Sequence, residues 1–293
     1  MACFDMDEFK KNLRQSTGMR IFIYLMALLV CSLIGGVITL WLSAGNDITR
    51  LKIGQGISSL LIFIAPPLIL YGFTRHKPMR AIGFRKPVTG WMLLIGVALM
   101  FVSLPFTSQL GIWNENMKLG SFEALEDWLQ SMEDMAGDFT ERMLQVDTVG
   151  GLLFNLLVIA LIPAIGEELT FRGVLQQSLV KRCKNVHVGI ILSAAIFSFI
   201  HFQFYGFLPR MFLGILLGYM FYYSGSLWTS ILMHFINNGA AVVVAYLGQK
   251  GLTDIDMEDF GSTTNLWLMI GSLVVTVALI VLSNKLKQKY GRK

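Results

Sequence analysis

The sequence predicts an all-α, polytopic membrane protein: a bundle of about eight transmembrane helices whose fourth span is kinked or broken. Three observations carry that expectation. Of 293 residues, 54% are hydrophobic and only 15% are charged, against the roughly 25% charge of soluble domains. The mean hydropathy is +0.61. The apolar residues fall in runs close to the roughly 20 residues that a helix needs to cross hydrocarbon. Together these exclude an ordinary soluble enzyme.

In chain order the runs place spans at about 20–43, 53–73, 90–111, 149–180, 187–205, 208–224, 227–248 and 265–284. The first is too long for a signal-peptide core and lacks a small-residue cleavage site, so it is expected to stay as a signal anchor. The fourth is about 32 residues long, more than one straight crossing requires. Pro163 and Gly166 interrupt it, and a proline removes a backbone donor and kinks a helix. Two segments meeting at a bend, with freed carbonyls turned to a protected interior, are therefore expected. In the sixth, Gly214-x-x-x-Gly218 permits close helix packing. The chain divides into 1–148, three spans plus an acidic extracytoplasmic loop at 112–148; 149–248, a core of four spans; and 249–293, a final span with a basic cytoplasmic tail.

Charge distribution orients this bundle. With the N-terminus in the cytoplasm, the inside segments hold 17 Lys and Arg and the outside segments six, a positive-inside pattern with both termini cytoplasmic. The net charge of +5 hides nine acids between Glu115 and Asp147, against Lys118 and Arg142. Within that loop Ser121 can cap a short helix with Phe122, Leu125, Trp128, Leu129 and Met132 on one face. The loop is expected to pack on the span ends; a lid or gate is the functional alternative. The basic residues sit at span ends rather than on one folded face, so nucleic-acid binding is not expected. Cys3, Cys31 and Cys183 are scattered, and support neither a disulfide framework nor a cysteine zinc site.

An ionisable residue near the bilayer centre costs roughly 2.5–3.5 kcal/mol on insertion scales, so the few inside the spans are informative. They are Glu167, Glu168 and Arg172 in span four, His201 in span five, and His234 in span seven with Asn237 and Asn238. Arg210, at the start of span six, is expected to snorkel to the interface. Glu168 and Arg172 are four apart and can neutralise each other as a structural salt bridge. Glu167 is rotated about 100° from Glu168 and has no sequence-local cation, which makes it a candidate general base or acid. His201 shares a helix face with Phe197, and His234 shares one with Asn238. Either histidine alone is compatible with a mere interhelical hydrogen bond. Polar side chains at four-residue spacing on three separate spans argue for joint function. His76 and His187 fall in cytoplasmic segments and are expected to be solvated.

These motifs resemble those of the CPBP family of intramembrane proteases, which includes the type II CAAX prenyl endopeptidases and many bacterial Abi-type proteins. The family pattern is Glu-Glu-x-x-x-Arg, then Phe-x-x-x-His, then His-x-x-x-Asn or Asp. Here it reads Glu167-Glu168-Leu-Thr-Phe-Arg172, Phe197-Ser-Phe-Ile-His201 and His234-Phe-Ile-Asn-Asn238, in order. The resemblance covers about 150–240. It implies an eight-helix bundle with a conical cavity, and hydrolysis by water of a peptide bond in a membrane-anchored protein or peptide. In that reading Glu167 is the base, helped by His201, and His234 and Asn238 stabilise the tetrahedral oxyanion, with Glu168, Arg172 and Phe197 in support. Asn237, three residues from His234, does not fit the spacing.

The family has been described both as metalloproteases and as glutamic proteases. Glu167, His201 and His234 are chemically adequate for zinc, but no His-Glu-x-x-His helix is present, and a metal-independent mechanism without cofactor is favoured. The alternatives from other classes are a non-proteolytic scaffold or immunity protein, and an ion-coupled transporter using Glu167 and the histidines as a relay. Against the relay stands Asn238, a neutral amide one turn from a histidine. The expected location is the bacterial cytoplasmic membrane. By residue count His234 lies on the order of 10 Å and Glu167 about 20 Å from the cytoplasmic ends, depths that allow access from the cytoplasm or laterally from lipid.

Overall fold

The computed structural model describes residues 17–45, 47–75, 77–84, 88–117, 122–254, 261, 263 and 265–290. Among them every regular element is helical. The helices are α1 (Thr17–Ser43), α2 (Ile48–Thr74), α3 (Pro78–Ile82), α4 (Gly90–Val102), α5 (Leu104–Glu115), α6 (Glu123–Leu144), α7 (Val149–Cys183), α8 (Val186–Phe199), α9 (Phe207–Ser224), α10 (Leu227–Gln249) and α11 (Leu266–Tyr290).

Five of these, α1, α2, α7, α10 and α11, are long and apolar enough to cross a membrane, which marks an integral membrane protein. A sixth is gained if α4 and α5, bent by 44°, count as one span. The bend falls just before Pro105 at the start of α5, where the ring cannot continue the α4 hydrogen-bond ladder. The expected count of eight is not reached by length and composition. The two shortfalls lie in the predicted spans 187–205 and 208–224. There α8 has 14 residues, about 21 Å of helix at 1.5 Å per residue, and α9 has 18 with Arg210 in its first turn.

The fourth span is a single helical segment from Val149 to Cys183. Its irregularity takes the form of two π-helical stretches, Leu156–Leu161 and Leu169–Gln176, so of the expected kink or break the chain shows no break. The first ends just before Pro163, and the Ile162 N–H reaches back five residues to Leu157 O. A wider turn next to the proline keeps the chain winding where an α-turn would lose its donor. α2 does the same: a π stretch, Leu60–Ile64, precedes Pro66 and Pro67. Pro67 frees the Phe63 carbonyl, and Thr170 Oγ1 of α7 donates to it at 2.9 Å. The freed carbonyl thus turns inward to a partner, as backbone in hydrocarbon must. Gly166 serves this contact, since a Cβ there would lie 2.7 Å from Phe63 Cβ.

Helices α7 to α10 form the centre: α8 packs on α9, α10 lies against α7 and α4, and α11 lies against α9 and α5. The Gly214/Gly218 pair works as the sequence suggests. A Cβ on Gly214 would lie 3.0 Å from Ala194 Cβ, and one on Gly218 2.8 Å from Gln176 Oε1. Close approach also exposes two α9 carbonyls to α7: Arg172 Nη2 donates to Gly214 O at 3.0 Å and Gln176 Nε2 to Gly218 O at 3.0 Å.

The acidic segment forms α6, 22 residues long and so more than a short helix. The Ser121 cap lies outside the described residues, as does His76, and Phe122 at the helix start provides no side-chain cap. Phe122, Leu125 and Trp128 of the expected packing face are exposed. α6 instead meets the bundle at its buried C-terminal Met143 and Leu144 and through Glu133.

Candidate active site

The three motifs converge. α7 supplies Glu167, Glu168 and Arg172; the end of α8 and the turn after it supply Phe197 and His201; α10 supplies His234, Asn237 and Asn238. Four-residue spacing stacks each pair on one helix face, and helix packing brings the faces together.

The structure separates the adjacent glutamates. Glu168 is fully buried, and its Oε1 accepts from Arg172 Nη1 at 2.7 Å and from His234 Nδ1 at 2.9 Å. Arg172, also buried, stacks over the Phe197 ring at 5.1 Å. The salt bridge read from the sequence is therefore present, with His234 as an additional member that spacing along one helix could not reveal. Glu167 keeps 14% of its side chain exposed, and its Oε2 lies 3.6 Å from His234 Nε2.

That exposure opens into a cavity of about 300 Å³. Glu167, His201, His234 and Asn238 all line it, with Asn237, Arg210 and the apolar Met100 and Leu217. A smaller hollow of about 170 Å³ adjoins it, sharing Met100 and Asn237 and otherwise lined by apolar side chains of α4, α5 and α10.

Hydrogen bonds fix which atoms face the cavity. His201 Nδ1 lies 2.8 Å from Phe197 O. A carbonyl only accepts, so Nδ1 carries the proton and a neutral His201 has its Nε2 lone pair free. Glu168 as a carboxylate likewise only accepts, so His234 Nδ1 is protonated. His234 Nε2 then donates only when the ring carries both protons. Asn237 Nδ2 donates to Asn238 Oδ1 at 3.3 Å, which leaves the Asn238 amide hydrogens for the cavity. Asn237, set aside on spacing, thus lines the site and orients its neighbour.

Arg210 has a role beyond the snorkelling that its position allows. It forms part of the cavity wall, where Nη2 donates to Gln203 Oε1 at 2.7 Å. Gln203 Nε2 in turn donates to Glu133 Oε1 at 3.3 Å, and the Tyr205 N–H to Glu133 Oε2 at 3.3 Å. The acidic helix is so tied to the turn that carries His201. Desolvation raises the Glu133 carboxyl above the ordinary carboxylate range, partly offset by the Tyr205 hydrogen bond and Arg210. A charge in the first turn of an apolar helix was the available signal for Arg210; its partner lies in an irregular turn that hydropathy does not resolve.

Among the described residues no group of three His, Cys, Asp or Glu side chains gathers in a metal-holding arrangement. Glu167, His201 and His234 are thus not gathered as a ligand set in this structure, and no step below is routed through a metal. His187, expected to be solvated, is exposed and its Nδ1 lies 2.6 Å from the Tyr219 hydroxyl.

No curated protein and no solved structure matches the chain. Residues 149–240, the segment that carries every motif from Glu167 to Asn238, match the protein-family model described as the Rce1-like type II CAAX prenyl endopeptidases.

Proposed function

We propose that the protein is an intramembrane endopeptidase that hydrolyses a peptide bond of a membrane-associated protein or peptide, as CAAX proteases do. The observation that carries this reading is that Glu167 of α7, His201 of the turn after α8, and His234 and Asn238 of α10 border one cavity. The match of 149–240 to the CAAX endopeptidase model supports the reaction class.

In this mechanism a water is held between the Glu167 carboxylate and the His201 Nε2 lone pair. As its oxygen attacks the scissile carbonyl carbon, Glu167 takes its proton. The carbonyl π pair moves onto oxygen, where Asn238 N–H and doubly protonated His234 Nε2–H donate to the oxyanion. Collapse of the tetrahedral intermediate expels the amine, which takes the proton from Glu167. Glu168 and Arg172 hold His234 in place and touch no reacting atom. In this reading the reaction requires no metal, and the protein sits in a bacterial plasma membrane with both termini cytoplasmic, an orientation that the positive-inside pattern supports.

Two measurements test this. Comparing peptide termini in membranes that carry wild-type or Glu167→Gln protein is expected to reveal a terminus present only with the wild type; identical profiles overturn the protease reading. On purified protein, cleavage of that substrate is expected to persist with a zinc chelator. Full inhibition reversed by zinc overturns the metal-independent mechanism.

A further inference from the structure

Arg210 is not used by the mechanism above, and its surroundings are unusual for a charge in an apolar helix. Of its two terminal nitrogens, Nη2 is spent on Gln203 Oε1. Nη1 is buried and has no hydrogen-bond partner among the described residues. A buried cationic donor left unmade is costly, and the residue that carries it lines the cavity that also holds Glu167 and Asn238.

The neighbourhood is shaped to hold the guanidinium there. Gly206 has φ −97° and ψ 5°, a conformation open to other residues, so its backbone does not require glycine. A Cβ at Gly206 would instead lie 2.9 Å from Arg210 Nη2 and 3.5 Å from Nη1. Gln203 is anchored at both ends: its carbonyl accepts from Arg210 and its amide donates to Glu133. Arg210 lies close enough to act electrostatically on both Glu133 and Glu167, but no ion pair with either forms within 4 Å.

We propose that Arg210 is a substrate-reading residue whose free guanidinium edge takes a carboxylate of the bound peptide. A planar fork with one edge already fixed by Gln203 presents its remaining donors in the geometry that carboxylates match best. The carboxylate comes either from the peptide's C-terminus or from an acidic side chain beside the scissile bond. The competing account is that Arg210 only balances Glu133 and Glu167, in which case the peptide's charge is immaterial. The proposal rests on the protease reading for the identity of the ligand as a peptide, but its test does not need turnover.

Glu167→Gln protein, in detergent, is titrated with one fluorescent apolar hexapeptide in three forms: free C-terminal carboxylate, C-terminal amide, and C-terminal amide with one internal Glu. Anisotropy is expected to show one or both carboxylate forms binding about tenfold or more tighter than the plain amide. Which form is preferred identifies the source of the carboxylate. Adding Arg210→Gln is expected to remove the preference while the amide peptide still binds. Gly206→Ala, which keeps the charge but displaces the guanidinium, is expected to weaken it. Equal binding of all three forms, no binding of the carboxylate forms, or a preference that survives Arg210→Gln overturns the proposal. A preference that disappears with Arg210, in a protein whose wild type cleaves nothing, upholds it and overturns the protease reading alone.

Discussion

Glu167 and Glu168 are adjacent in the chain, yet they belong to two regions of different character. On the closed side, Glu168, Arg172 and His234 meet at 2.7 and 2.9 Å, with Phe197 stacked beneath the guanidinium. On the open side, Glu167, His201, Asn238 and Arg210 border about 300 Å³ of space, and His234 Nε2 lies 3.6 Å from Glu167 Oε2. Both regions sit in the same helical bundle and carry the same kinds of residue. The difference is that one pairs its charges with each other through Glu168 Oε1 and the other turns its donors and acceptors to open space. His234 belongs to both, with Nδ1 committed to the closed side and Nε2 turned to the open one.

The contrast gives opposite expectations for mutations a few ångströms apart. Arg172→Met strands the Glu168 carboxylate against His234 alone, and removing one partner of a buried pair costs about 3–5 kcal/mol. Denaturant unfolding in detergent measures this, and a loss under about 1 kcal/mol shows that the closed side does not hold the fold. Asn238→Ala is expected to lower turnover by roughly 10²–10³-fold, the usual cost of an oxyanion donor, with the melting temperature unchanged. A stability loss without a kinetic one moves Asn238 to the structural side.

Smaller effects test the framework around the two regions. Gly166→Ala pushes a methyl toward Phe63 and is expected to cost about 1–3 kcal/mol through overpacking. Gly271→Ala in α11 meets nothing within 4 Å, and is expected to be neutral or mildly stabilising by up to about 1 kcal/mol. The smallest effect concerns Glu133. Its carboxyl is raised above the ordinary range by burial, so the folded protein holds that proton to higher pH than the unfolded chain does. Its contribution is complete below the unfolded value and is lost as pH rises through the folded one. Melting temperature followed across mildly acidic pH is expected to fall more steeply in wild type than in Glu133→Gln.

Much of this organisation was legible in the residues. Apolar runs located the long helices, because each must satisfy its own backbone in hydrocarbon. The four-residue spacings identified Phe197, His201, His234 and Asn238, and the absence of a sequence-local cation identified Glu167, all of which line the cavity. Other features rest on contacts between segments far apart in sequence. Pro163 predicts a kink or a break, but it does not say that α7 continues past the proline by widening its turn. Spacing pairs Glu168 with Arg172 but cannot say that a histidine 66 residues on shares the same oxygen. Hydropathy does not reveal that Arg210 lines the cavity, because the Gln203 and Glu133 that hold it lie in a turn and in the acidic helix.

The most direct test of this division compares Glu167→Gln and Glu168→Gln, measuring cleavage rate and melting temperature on the same preparations. Glu167→Gln is expected to lose about 10²–10⁴-fold in rate, the usual worth of a general base, while melting within a few degrees of wild type. Glu168→Gln is expected to lose stability first, because Arg172 is left buried without its counter-charge. A Glu167→Gln protein that cleaves at the wild-type rate, or that unfolds as Glu168→Gln does, contradicts the account.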